Sequence, residues 1–256
     1  INEDQMDFNA DCLNALAVAN DEAVITLGRL SGEGSDRKID DDFKLRPFER
    51  RMIENVSKAF HAVGKKVVVV LNIGGVIEME SWKNEVDAIL LAWQPGQEVG
   101  NSIADVLTGK VNPSGKLTMT FPKKYEDTPA AKYFPGEPAN DPKVSYYKEG
   151  IYVGYRAYDK QNVEPSYEFG YGKSYTDFKY SDLKLSGSHF SKQLTVSVVV
   201  TNVGKYAGRE VAQLYLSAPA ANLDKPVKEL KGFAKTSLLQ PGESETLTMI
   251  LLPKDL

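Results

Sequence analysis

Residues 65–75 read KKVVVVLNIGG, and this stretch decides the fold. Val67–Leu71 is a continuous apolar run, rich in β-branched side chains. A strand wetted on one face would alternate apolar and polar residues. An unbroken run instead suits a parallel strand covered on both faces. The flanking segments agree. Upstream, Pro47 suits the first turn of a helix, and Phe48, Met52, Ile53, Val56, Phe60 and Val63 form one apolar face that Gly64 closes. Before that helix, Ala23–Leu27 (AVITL) reads as a buried strand. Phe8, Cys12, Leu13 and Leu16 recur at helical spacing over 7–20. Downstream, 86–93 reads as a strand, and PGQEVGNSIADVLTGK (95–110) as a helix with Val99, Ile103, Val106 and Leu107 inward. NPSG is then a turn and 116–121 a strand. The order α-β-α-β-β-α-β predicts an α/β sandwich layered around a mostly parallel sheet.

The composition then changes. Pro122, Pro129, Pro135, Pro138 and Pro142 mark an extended connector, followed by Tyr- and Gly-rich segments. From about 178 the pattern is all-β, with strands expected at 178–185, 193–202, 209–217, 227–234 and 245–252. Short strands at this spacing predict a β-sandwich of immunoglobulin or fibronectin III type. The expected divisions are an α/β domain over 1–122, a connector over 123–177 and the β-sandwich over 178–256. The α/β domain reads as incomplete at its start, and the sandwich at its end.

Bulk properties narrow the function. The chain has 256 residues, 42% hydrophobic and 26% charged, with a net charge of −4. No basic block is present, which argues against nucleic acid as the main partner. No apolar run approaches the roughly 18 residues that a membrane helix needs. Cys12 is the single cysteine, and His61 and His189 lie far apart, so disulfide, zinc and Ser-His-Asp readings are thinly supported. The chain starts at Ile1 without a signal-peptide pattern, and both ends read as cuts within a longer protein. No compartment can be assigned from it.

The loop RLSGEGSDR (29–37) follows the first strand and carries one acid, Glu33, between Gly32 and Gly34. On its own it reads more readily as an exposed turn with an idle glutamate than as a catalytic loop. It does not stand alone. AWQPGQEVGNSIADVLTGKVNPSGKLTMTFP (92–122), YKEGIYVGYRAYD (147–159), SYEFGYGKSYTDFKYSDL (166–183), VTNVGKYAGREVAQLYL (200–216) and KELKGFAKTSLLQPGESETL (228–247) follow in order. Together these segments resemble glycoside hydrolase family 3, the retaining β-glucosidases and their relatives, over essentially the whole chain. The resemblance implies a loop carrying the acid/base, an α/β sandwich domain and a fibronectin III-like domain. It also implies a (β/α)8 barrel domain as partner, which supplies the nucleophilic Asp and most of the sugar pocket and which this chain does not contain.

Retaining glycosidases use two carboxyl groups about 5–5.5 Å apart, one as nucleophile and one as proton donor and then base. The donor must stay protonated near neutral pH, which burial or a neighbouring carboxylate achieves. A carboxylate on a loop at a strand's end can reach into a neighbouring domain's pocket, and flanking glycines allow unusual backbone angles and leave room for a sugar. Glu33 is thus the expected acid/base of a β-glycoside hydrolase. That chemistry needs no metal and no cofactor, and the chain alone is expected to be inactive. Asp36 and Arg37 could pair to fix the loop, Arg37 could reach Glu33, and Arg29 could line the sugar site or pair with a local acid. LNIGG resembles a phosphate loop but lacks the G-x-G-x-x-G spacing and a Walker lysine. Tyr146, Tyr147, Tyr152, Tyr155 and Tyr158 read as connector packing more readily than as sugar platforms, and Trp82 and Trp93 as core or interface residues. The other class of reading is a non-catalytic carbohydrate-binding or scaffolding module.

Overall fold

A computed structural model describes residues 9–30, 32–219 and 223–255. The chain forms two compact units. The first runs to Ile103 and takes in Phe121–Thr128 and Glu164–Ser166. The second holds Ala104–Thr120, Pro129–Val163 and the residues from Tyr167 onward.

In the first unit, helix α1 (Ala10–Ala19) precedes β1 (Glu22–Arg29), α2 (Pro47–Ala62), β2 (Lys66–Ile73) and β3 (Ala88–Leu91). The sheet is parallel in the order β1-β2-β3, with Leu27 opposite Leu71 and Leu71 opposite Leu91. The apolar run thus lies in the central strand, where Val67, Val69, Val70, Leu71 and Ile73 are fully buried. Strand β1 differs from the expected buried strand. Only Ile25, Leu27 and Arg29 are buried, while Val24 is exposed, so one face of β1 is covered and the other is open.

Helix α2 packs against β1, β2 and α1 through Ile53, Val56, Ala59 and Phe60. Pro47 occupies its first turn, and Gly64 (φ +72°) ends it by donating its N–H to the His61 carbonyl at 3.0 Å. Helix α1 buries Leu13 and Ala17, whereas Cys12 and Leu16 of the expected apolar face are exposed; Phe8 lies outside the described residues. Asn9 caps α1 by accepting from the Asp11 N–H at 2.9 Å, which is why the helix starts there.

Charged contacts also hold this unit. Arg29, at the end of β1, donates Nη1 and Nη2 to the two Glu49 carboxylate oxygens at 2.6 and 2.5 Å, with both side chains nearly excluded from solvent. Glu49 also accepts the Arg46 N–H at 2.8 Å, so one carboxylate both starts α2 and anchors β1. At the opposite end of the sheet Asp87 accepts from Lys66 Nζ (2.6 Å) and the Val67 N–H (2.9 Å), and its other partner is His61 Nε2. These hydrogen bonds, that from Lys66 foremost, hold the Asp87 carboxyl well below the usual carboxylate range.

Helix α3 (Val99–Leu107) crosses the division between the units. In the second unit the expected strand at 116–121 is not formed. Leu117 instead exchanges backbone hydrogen bonds with Tyr171 and Gly170 at 2.7 Å each, so its backbone groups are used by a turn. The Tyr- and Gly-rich part of the expected connector contains a helix, α4 (Tyr155–Gln161), ended by Asn162 in the left-handed conformation. The remaining elements fall close to expectation: β4 (Phe178–Leu185), β5 (Leu194–Asn202), β6 (Val211–Leu216), β7 (Glu229–Lys235) and β8 (Ser244–Leu251). They form an antiparallel β4-β5-β8 sheet and a β6-β7 pair. Val198, Val200, Ala212, Leu247 and Met249 fill the space between them. Asn202 is fully buried and satisfied: its amide donates to the Tyr206 and Leu239 carbonyls (2.7 and 2.9 Å), and its oxygen accepts from Thr176 Oγ1 (2.7 Å) and the Gly204 N–H (3.1 Å). The turn 202–206 is therefore fastened from the inside.

Two outcomes follow for stability. Glu49→Ala leaves the Arg29 guanidinium buried without a counter-charge, which costs about 3–5 kcal/mol, whereas the double change Arg29→Met with Glu49→Leu costs much less. Urea denaturation midpoints measure both, and a single-variant loss below about 1 kcal/mol would mean that the pair behaves as a surface contact. Because the folded Asp87 carboxyl has a lowered pKa, its stabilisation is complete above the unfolded value of about 3.9 and is lost as pH falls below it. Asp87→Asn should thus flatten the fall of the melting temperature below about pH 4; parallel melting curves for both proteins down to acid would refute this.

Candidate active site

The loop after β1 carries Glu33 at the carboxyl end of a parallel strand, the end of an α/β sheet where ligands bind. Gly32 and Gly34 have φ of +84° and +82°, a region that costs other L-residues energy. The Ser35 N–H donates to the Gly32 carbonyl at 3.2 Å and closes the turn. Glu33 sits at its tip, exposed, and among the described residues no hydrogen bond or ion pair holds its carboxylate. The glutamate is therefore presented rather than packed.

The loop beneath it is held tightly. Arg37 does not pair with Asp36. Its Nε donates to Asp42 Oδ1 at 3.0 Å, its Nη1 to the Val76 carbonyl at 2.9 Å and its Nη2 to the Asp42 carbonyl at 3.4 Å. The Asp42 carbonyl also accepts Nε of Arg29 at 3.0 Å. A continuous chain of contacts thus runs Glu49–Arg29–Asp42–Arg37–Val76. Arg29 pairs with an acid, Glu49, and also borders the cavity beside Glu33, and Arg37 is structural through a partner that sequence reasoning missed. The signal was present in the acid run IDDDF (39–43), but only the fold selects Asp42 from it.

Gly28, Arg29, Glu33, Arg37, Asp42, Arg46, Asn72 and Gln94 line an open cavity of about 570 Å³. Gly75 of LNIGG has a packing reason that needs no phosphate. A Cβ on buried Gly75 would lie 2.5 Å from Arg37 Nη1. Trp82 is a core residue, 1% exposed, whose indole N–H donates to the Glu78 carbonyl at 2.9 Å; Trp93 packs on Phe121. In the second unit, Tyr158 is buried, and Tyr155 stacks on Phe169 and Tyr215 while its hydroxyl accepts the Leu230 N–H at 2.8 Å. Tyr146 and Tyr147 are exposed. Packing thus accounts for Tyr155 and Tyr158 and not for Tyr146 and Tyr147. No helix of the described residues is long and apolar enough to cross a membrane.

Comparison with known proteins agrees with this architecture. The model of the glycosyl hydrolase family 3 C-terminal domain matches residues 7–155, more than half of the chain, and that of a fibronectin type III-like domain matches 210–256. β-Glucosidase A of Butyrivibrio fibrisolvens is 39% identical over 96% of this chain and 34% of its own length. Thermostable β-glucosidase B of Acetivibrio thermocellus is 43% identical over 92% and 30%. Among solved structures, β-glucosidase 3B from Thermotoga neapolitana in complex with glucose superposes with a TM-score of 0.94 at 51% identity, over 97% of this chain and 34% of that one. The chain therefore spans about a third of the length of the curated relatives it matches. On these grounds the chain belongs to glycosyl hydrolase family 3, as a C-terminal portion of the kind carried by its β-glucosidases.

Proposed function

We propose that this chain is the C-terminal part of a retaining, exo-acting β-glucosidase and that Glu33 is its general acid/base. The observation that carries the reading is the presentation of Glu33: a carboxylate with no hydrogen bond or ion pair among the described residues, between two glycines of positive φ, at the carboxyl end of a parallel strand and on the wall of an open cavity. Its setting is a chain whose relatives are β-glucosidases. We assign residues 1–122 to the α/β domain, 123–177 to the connector and 178–256 to the fibronectin III-like domain.

The reaction is a double displacement. A second carboxylate, an Asp of a (β/α)8 barrel domain in the same enzyme, attacks the anomeric carbon, and Glu33 gives its proton to the departing glycosidic oxygen. Glu33 then takes a proton from the water that releases the sugar. The barrel domain also supplies most of the pocket. The open loop geometry suits this division of labour, since a side chain that is not tied down at home is free to complete a site elsewhere.

Two measurements test it. In the full-length enzyme, Glu33→Gln should slow glycosides with poor leaving groups by about 10²–10⁴-fold and spare activated aryl glucosides much more, since these need little protonation. Equal loss on both, or none, would overturn the assignment. The isolated chain should give no turnover of an aryl β-glucoside, since it brings one of two carboxyl groups; measurable turnover would overturn the proposed division of the site.

A further inference from the structure

We propose that Arg37 is the positioning residue of the acid/base loop, and that Gly75 is glycine to admit its side chain. The inference rests on the reading of Glu33 as acid/base and goes beyond it, because it names what aims that carboxylate.

The geometry is specific. The Arg37 side chain passes under the turn that carries Glu33. Its Cγ lies 2.8 Å from where a Cβ on Gly32 would stand, and its Nη1 lies 2.5 Å from the corresponding point on Gly75. Two segments far apart in sequence thus have no side chain where the same arginine passes. The guanidinium is then fixed by two partners, the Asp42 carboxylate at Nε and the Val76 carbonyl at Nη1. A planar fork with fixed donor directions can hold both at once, whereas an ammonium cannot reproduce the pair of directions. Val76 follows the central strand β2, and Asp42 is tied through its carbonyl to Arg29 at the end of β1. Arg37 therefore clamps residues 32–37 to the sheet and leaves Glu33 as the unclamped tip. A donor acid misplaced by about 1 Å loses on the order of 100-fold in rate, so a loop whose described residues are otherwise joined by one 3.2 Å turn hydrogen bond needs such a clamp.

The test is Gly75→Ala in the full-length enzyme, which displaces the guanidinium without altering any charge or touching Glu33. Its kcat for a poor-leaving-group glucoside should fall on the order of 10–100-fold, its KM should hold within about twofold, and an activated aryl glucoside should lose far less, the same signature as Glu33→Gln. Hydrogen exchange in residues 32–37 should quicken. Arg37→Lys should behave likewise, and it stands in if the alanine variant does not fold. Unchanged kcat, equal loss on both substrates, or a rise in KM alone overturns the clamp. If Glu33→Gln shows the leaving-group signature and neither clamp variant does, the positioning role alone falls. If Glu33→Gln itself lacks it, the acid/base reading falls and the clamp with it.

Discussion

The bidentate pair between Arg29 and Glu49 is the constraint on which the α/β unit depends. Burying a guanidinium and a carboxylate is expensive, and only the fork geometry with its additional hydrogen bonds makes it tolerable. The cost has a use. Glu49 begins α2, Arg29 ends β1, and the backbone of Asp42 completes the set. Three segments that hydrophobic packing could let slide are thereby fixed at one point, immediately below the loop that carries Glu33. Apolar burial along β2 contributes driving force to this unit, and the ion pair ties the end of β1 to the first turn of α2.

Much of this could be read from residue patterns, and the reasons are local. The run Val67–Leu71 is long enough and β-branched enough to specify a central parallel strand by itself. Pro47 and Gly64 mark α2 because each fits a backbone geometry at a helix end. The alternation in 194–201 and 245–251 is that of half-buried antiparallel strands, and both are found. The glycines around Glu33 are legible for the same reason, since positive φ is a property of the residue and its immediate neighbours.

The rest depends on contacts that no local pattern encodes. Residues 116–121 look like a strand, but the backbone of Leu117 is taken by the turn at 170–171. Tyr155–Gln161 looks like part of a loose connector because tyrosine and glycine suggest irregularity; Ala157 and Tyr158 bury there and Arg156 pairs with Glu229 at 3.1 Å, which makes a helix of it. On α1, helical spacing alone does not say which stripe faces inward, and Leu13 and Ala17 were buried rather than Cys12 and Leu16. At the candidate site, Asp42 as the partner of Arg37 and Gly75 as its neighbour are separated from it by 5 and 38 positions in sequence. Such pairings belong to the tertiary fold.

The two glycines that flank Arg37 are under different kinds of restraint. Gly32 needs its own backbone angle and would remain glycine whatever stood at 37. Gly75 shows no positive φ, and its lack of a side chain answers only to the volume of the guanidinium. Its restriction is therefore conditional. In a lineage where position 37 carries a smaller residue, alanine or serine at 75 becomes neutral, and once fixed it bars the arginine's return. The order in which such changes accumulate would decide which descendants of this fold can still recover the original loop.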